Sequence, residues 1–229
     1  MCLLSFQGKR DTVSCCSYGR AAFAYVNQLV GRIRDICPGT LVEFRQFYTT
    51  PVKLNLATNF RANDVPFDFM PNLHRCAQIR ATLGDHVTVH SDPVWFHPEE
   101  SSVNVSRHVK AALVGVPMIS VDLEKLTPRH AEIIKRHIAF YHNHLEIFRQ
   151  GHWTIRYRMG FLAFVEVESD KEIITFLVTG PIRKEEGKSH IILILSPESI
   201  PFDGESFDAD GLPAHGAIPE GGIGVQEGR

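Results

Sequence analysis

The residues best suited to chemistry follow short apolar segments in the first half of the chain. They occur in three groups: Glu43-Phe44-Arg45-Gln46, Arg61-Ala62-Asn63-Asp64 and His90-Ser91-Asp92. Because the functional groups of parallel α/β folds cluster where strands end, we expect these groups to lie close together. Carboxylate and guanidinium groups can form paired, charge-assisted hydrogen bonds to vicinal hydroxyls. The pattern therefore indicates a polyhydroxylated ligand, and the alternative is that the same residues cap helices and form surface loops.

Aromatic residues flank these polar groups. Phe60, Phe67 and Phe69 lie on either side of the carboxyl groups of one segment, and apolar surroundings raise the pKa of a carboxyl group until it can act as a general acid. Trp95 follows the third segment and either stacks against a sugar ring or packs in the core. The histidines and cysteines show no tight ligand spacing, so neither a metal site nor a cofactor is predicted.

Alternating strands and helices are predicted to position these groups over residues 21–126. Strands are expected at Thr40–Phe44, Ala57–Arg61, His86–His90 and Val116–Val121, and helices at Ala21–Ile36, Pro71–Leu83 and Glu99–Val114. This alternation implies parallel strands joined by crossover helices. Four strands form either half of a (β/α)8 barrel or an open doubly wound sheet. The open sheet would need a Gly-rich phosphate loop after a strand, and the sequence has none, which favours a partial barrel.

A different pattern in the second half predicts a different architecture. Thr127 is a suitable N-cap, and one long helix is expected over residues 127–150. Four strand-like segments without an intervening helix predict an antiparallel β domain over residues 151–200, as part of a sandwich. The two ends of the chain are expected to lack regular structure, with an irregular segment over 1–20 and a flexible tail over 201–229.

The composition limits the partners. The 229 residues carry 24 Lys and Arg against 26 Asp and Glu, a formal charge of −2, and 44% of them are hydrophobic. Nucleic acids and anionic membranes both favour a basic face, so neither is an expected partner. The apolar runs are too short to span a bilayer and no signal peptide is recognisable, so a cytoplasmic location is expected.

Four motifs in chain order resemble the second half of the catalytic barrel of the melibiase-type α-galactosidases, glycoside hydrolase family 36 and its divergent relatives. The motifs are Leu41-Val42-Glu43-Phe44-Arg45-Gln46, Asn59-Phe60-Arg61-Ala62-Asn63-Asp64-Val65-Pro66-Phe67-Asp68, Val89-His90-Ser91-Asp92 and Val116-Pro117-Met118-Ile119-Ser120-Val121. The resemblance covers roughly residues 20–195 and implies strands five to eight of a (β/α)8 barrel, a long helix that closes the barrel and a C-terminal β-sandwich. The well-studied members carry Cys-Ser-x-Gly-Gly-x-Arg after strand five. This chain has Arg45-Gln46-Phe47-Tyr48 there, so the resemblance is to a divergent branch.

The resemblance also implies roles for individual residues. Members of the family are retaining glycosidases that use one carboxylate as nucleophile and another as acid/base. Counted back from the long helix, Asp64 falls at the acid/base position, and Asp68 is the competing candidate. Substrate contacts are implied for the remaining polar strand-end residues and one tryptophan: Arg45, Gln46, Arg61, His90, Asp92 and Trp95. The segment before Thr40 offers no nucleophile, so the chain is expected to be inactive alone.

Three hypotheses stay open at this point. The chain is the acid/base half of an α-galactosidase-like hydrolase of α-linked, galactoside-like saccharides, completed by self-association or by an N-terminal half. Alternatively, it is a non-catalytic carbohydrate-binding or interaction module. The third hypothesis is an unrelated open α/β enzyme that uses Asp64 and Asp92.

Overall fold

The computed structural model describes residues 15–46, 49–65, 67–182 and 185–228, and its contacts divide the chain into two units, Met1–Val42 and Glu43–Arg229. Helix α1 (Cys15–Ile36) belongs to the first unit and ends before Pro38 and Gly39, which cannot continue it. The irregular segment predicted over residues 1–20 therefore contains helix from Cys15 onward. Residues 1–14 lie outside the described part.

Three short strands form a parallel sheet in the second unit. They lie side by side in chain order: β1 (Glu43–Arg45), β2 (Asn59–Arg61) and β3 (Val89–His90). Val116 and Ile119 continue that order through isolated parallel bridges to His90 and Val94. Three strands thus overlap the predicted segments but are shorter than predicted, and the fourth predicted strand, Val116–Val121, is represented only by the two isolated bridges.

Helices pack against this sheet and against one another. They are α2 (Phe69–Leu83) and α3 (Ser102–Ala112). Phe60 of β2 and Val89 of β3 share one buried cluster with Leu73 and Ile79 of α2. One face of the parallel sheet is therefore apolar and covered by α2, and the strand residues between these apolar positions point to the opposite face.

The single helix predicted over 127–150 is instead two helices, α4 (Pro128–Asn143) and α5 (Leu145–Gln150). The break is at His144, whose φ of −110° and ψ of 22° are not helical. His144 Nδ1 lies 2.9 Å from the Glu172 carboxylate. We attribute the break to this contact, because the backbone of His144 leaves the helix at the residue whose ring binds Glu172.

A seven-stranded mixed sheet follows the helices. Its strands are β4 (His152–Arg158), β5 (Phe161–Glu168), β6 (Glu172–Leu177), β7 (Ser189–Ile194), β9 (Glu205–Phe207), β10 (Pro213–Ala214) and β12 (Ile223–Gln226), and the strands β8 (Ile200–Pro201) and β11 (Ala217–Ile218) form a separate pair. The order is β10-β9-β12-β7-β6-β5-β4, and β6 and β7 are parallel. The purely antiparallel sheet predicted over 151–200 is therefore wrong for this pair. A parallel pair cannot be closed by a hairpin, so the chain crosses back after β6.

The flexible tail predicted over 201–229 is wrong for its described part. Ile223 and Val225 of β12 pair with β7, so alternating apolar residues extend the sheet in register. The glycines and prolines that suggest disorder in the sequence make tight turns instead. Gly211, for example, has a φ of 80°, which residues with a side chain rarely adopt.

Both faces of the seven-stranded sheet are buried at its central strands β6 and β7. Ile191 and Leu193 join the cluster that contains the residues of α2, and Ile192 and Ile194 pack with Ile218 of β11. The described residues show neither a (β/α)8 barrel nor a β-sandwich, so the half-barrel and the sandwich stay predictions. None of the described helices combines the length and the apolar character that crossing a membrane requires.

Candidate functional site

A set of polar side chains occupies the face of the parallel sheet opposite α2. We call Glu43, Arg45, Asn59, Arg61 and His90 the polar strand face. Glu43 pairs in register with Asn59, and Arg45 pairs with Arg61, which in turn pairs with His90. Since alternate strand residues share a face, the backbone register brings all five side chains to the same side of the sheet.

Glu43 is at the centre of the polar strand face. Asn59 Nδ2 donates a hydrogen bond of 2.6 Å to Glu43 Oε2, and His90 Nδ1 lies 2.9 Å from the same oxygen. Asn59 Nδ2 is also 3.2 Å from His90 Nδ1. Because the carboxylate can only accept, His90 Nδ1 carries a hydrogen and donates it to Glu43. The three side chains thus hold one another in a fixed geometry.

Three buried polar atoms, two on this face and one on the next residue after β1, have no hydrogen-bond partner in the described part of the chain. They are Arg45 Nε, Gln46 Oε1 and Arg61 Nε. Arg61 Nε lies 3.0 Å from Glu43 Oε1, close enough for an ion pair but without the alignment of a hydrogen bond. An unpartnered buried polar group costs about 1–3 kcal/mol, so a ligand that supplies hydroxyl groups here gains affinity.

Asp64 lies at the edge of the polar strand face. Its carboxylate forms an ion pair with Arg45 and is 69% exposed. Arg75 binds the backbone of this loop through the carbonyl oxygens of Asn63, at 2.8 Å, and of Asp64. The aromatic burial suggested by the sequence is absent at this exposed carboxylate. The arginine stabilises the ionised form, whereas a general acid must carry a proton.

Three other predicted site residues, Asp68, Asp92 and Gln46, form hydrogen bonds within the protein. Asp68 is the N-cap of α2, where its side chain accepts a hydrogen bond of 3.0 Å from Met70 N. Asp92 is buried, and its Oδ2 accepts a hydrogen bond of 2.9 Å from Val65 N. Asp92 therefore joins the loop after β2 to the loop after β3. Gln46 Nε2 donates to Gln78 Oε1 at 2.7 Å.

Trp95 pairs with an aromatic residue from the neighbouring loop. Its ring centroid is 4.1 Å from that of Phe67, and 46% of Trp95 and 55% of Phe67 are exposed. A cavity of about 360 Å³ adjoins the two rings. Trp95 is thus part of an exposed aromatic surface, whereas Phe96 beside it is buried in the core.

The structure brings Arg45, Arg61 and His90 together as the sequence predicts, but the sequence reasoning missed Glu43 and Asn59 as site residues. Glu43 was recognised only as part of a strand end. A signal for both was present, because Glu43 and Arg45, like Asn59 and Arg61, are polar residues two apart in an otherwise apolar strand. That spacing places both members of each pair on one face. The described residues contain no cluster of three or more His, Cys, Asp or Glu that could hold a metal ion.

Comparison with known protein families and comparison with curated proteins both find no match to this chain. We therefore infer the function from the motifs and from the geometry of the polar strand face.

Proposed function

We propose that the polar strand face binds the sugar ring of an α-linked glycoside, and that the chain carries the acid/base half of an α-galactosidase-like retaining glycoside hydrolase. The observation that supports this proposal is the convergence of the guanidinium groups of Arg45 and Arg61 on one face with the carboxylate of Glu43, with Arg45 Nε a buried donor that has no hydrogen-bond partner among the described residues. A sugar offers hydroxyl groups that both donate and accept, so it can satisfy donors and acceptors together. The near-neutral charge of the chain suits such an uncharged ligand.

In this proposal Asp64 is the acid/base residue. It would protonate the glycosidic oxygen and then take a proton from the attacking water. Arg45 must first be drawn away from Asp64, because the ion pair favours the ionised carboxylate. Binding of a sugar hydroxyl to the Arg45 guanidinium supplies a reason for that exchange.

A retaining mechanism also needs a nucleophilic carboxylate about 5–5.5 Å from the acid/base. Glu43 is a poor candidate, because Asn59 and His90 bind one of its oxygens and Arg61 lies against the other. We therefore propose that the nucleophile comes from a strand of an N-terminal half, and that residues 15–228 bind a glycoside without hydrolysing it.

The test is complementation with a separately expressed N-terminal barrel half of a melibiase-type α-galactosidase, assayed with a chromogenic α-galactoside. The mixture should release the chromophore, and Asp64→Asn should abolish the release. Asp68→Asn is the matched control, because asparagine also caps helices and should leave activity intact. Unchanged activity in Asp64→Asn, or loss in both variants alike, would count against the assigned role.

A second candidate is a non-catalytic carbohydrate-binding module, favoured by the Arg45–Asp64 ion pair that holds the carboxylate charged. This candidate predicts glycoside binding by the chain alone and no turnover in any mixture. The geometry argues against the third hypothesis, an unrelated open α/β enzyme that uses Asp64 and Asp92. Asp92 is buried, and its carboxylate accepts a hydrogen bond from Val65 N.

A further inference from the structure

The cavity beside Phe67 and Trp95 has the size and lining of a site for an apolar ring. It is lined by Phe67, Trp95, Phe96, Val121 and Leu126, with further contacts from His97, Pro98, Asp122 and Lys125. Its volume of about 360 Å³ is more than twice that of a cavity of about 150 Å³ that is known to hold benzene. The charged residues that line the described part of the cavity, Asp122 and Lys125, form an ion pair of 2.9 Å with each other.

The backbone of Phe67 is strained in a way that presents its ring. Phe67 has a φ of 58°, a region that costs a residue with a side chain about 1–3 kcal/mol. The conformation leaves the ring half exposed against Trp95 rather than in the core. Such strain is retained where the surrounding structure holds it, and it concentrates at ligand sites.

The cavity lies beyond the carboxyl ends of β2 and β3, where Arg61 and His90 of the polar strand face are the last strand residues. Phe67 is in the loop that follows β2, and Trp95 is in the loop that follows β3. Val65 N and Asp92 Oδ2 join these two loops at 2.9 Å. A ligand bound at the carboxyl ends of the strands therefore has an apolar recess beside it.

We infer that this cavity binds a flat aromatic ring, so that the glycoside bound by the protein carries an aryl aglycone. The sugar part of this inference rests on the proposed function, whereas the ring site depends only on the cavity. Stacking on the aromatic pair should strengthen the binding of an aryl glycoside about fivefold to tenfold over that of an alkyl glycoside.

The test is saturation-transfer NMR on the full chain with three probes: phenyl α-galactoside, methyl α-galactoside and phenol. The phenyl protons of phenol and of the phenyl glycoside should both receive saturation from the protein. Trp95→Ala and Phe67→Gly should weaken the phenyl glycoside about fivefold to tenfold and leave the methyl glycoside unchanged. Phe67→Gly also relieves the positive φ, and thermal unfolding of each variant shows whether it stays folded. Phe161→Ala removes an exposed ring of β5, which does not line the cavity, and should change nothing.

The outcomes separate the ring site from the sugar site. Absence of saturation transfer to phenol, or equal affinity for the two galactosides in the unmodified protein, would overturn the inference and leave the proposed function standing. Binding of phenol that is lost in Trp95→Ala, without binding of either galactoside, would support the ring site and contradict the proposed function.

Discussion

Lowering the pH from 7 to 5 is expected to destabilise the fold through His137. His137 lies on α4 and is buried. Its Nδ1 donates a hydrogen bond of 2.7 Å to Ile133 O, and its Nε2 lies 3.3 Å from Ser106 Oγ. Burial, together with the positive charges of Lys110 and Arg136, lowers the pKa of His137 from 6.5 to about 3, and the hydrogen bond to Ile133 O opposes this shift only in part. The folded protein therefore holds the ring neutral over a range in which the unfolded chain protonates it.

The sign and size of the effect follow from linkage. Above pH 6.5 the histidine is neutral in both states and has no effect on stability. Between pH 6.5 and about 3 only the unfolded chain binds the proton, so stability is lost as the pH falls. Each pH unit corresponds to about 1.4 kcal/mol, which amounts to about 2 kcal/mol at pH 5.

The assay is urea unfolding at pH 7 and pH 5 for the unmodified chain, His137→Gln and His142→Gln. Glutamine does not titrate, so the pH-dependent loss should shrink by about 2 kcal/mol in His137→Gln. His142 is exposed on the same helix and is the matched control. Burial also lowers the pKa values of His108 and Lys110, and these contributions stay the same in all three proteins. An undiminished loss in His137→Gln would refute the reasoning.

Three further predictions concern the fold around the site. Asp68→Ala removes the N-cap of α2 and should lower the free energy of unfolding by about 1 kcal/mol without weakening glycoside binding; lost binding would show that Asp68 contacts the ligand. Gly115→Ala places a Cβ 2.8 Å from Ser91 N and should cost about 1–3 kcal/mol in thermal unfolding, whereas an unchanged melting temperature would contradict the parallel bridge beside it. Gly222→Ala places a Cβ against Phe207 O and should make residues 201–226 sensitive to limited proteolysis. If the protease cleaves this segment as fast in the unmodified chain as in Gly222→Ala, the segment is not held in the sheet as described.

The order of the parallel strands could be predicted from the sequence because each apolar segment is followed by a polar group, and the second and third segments are then followed by a helix. The helices around them have local signals, such as the apolar spacing in α2. The lengths of the strands could not be predicted. They depend on which backbone groups find partners in the neighbouring strand, and Val116 and Ile119 find only isolated ones.

The candidate site could be predicted only in part, because residue types indicate chemistry but not partners. Arg61 and His90 are where the sequence suggests, yet their common partner is Glu43, and this contact depends on the register of three strands. Asp68 and Asp92 have the right residue type, but local geometry uses them for a helix cap and a bond between loops.

The tail illustrates a different limit of prediction. Glycine and proline are common both in disordered segments and in tight turns, so composition alone cannot separate the two. The decisive contacts are long-range, since β12 pairs with β7 and with β9. The parallel pairing of β6 and β7 is equally a tertiary feature, because the local pattern of each strand is the same in either direction.

The most direct test of the central proposal is calorimetric titration of methyl α-galactoside into the unmodified chain and into Glu43→Gln. Glu43 holds Asn59, Arg61 and His90 in place, so its replacement should abolish binding. Glu198→Gln, at an exposed position outside this face, is the matched control and should bind as the unmodified chain does. Binding that survives in Glu43→Gln, or that is absent from the unmodified chain, would contradict a sugar site on the polar strand face.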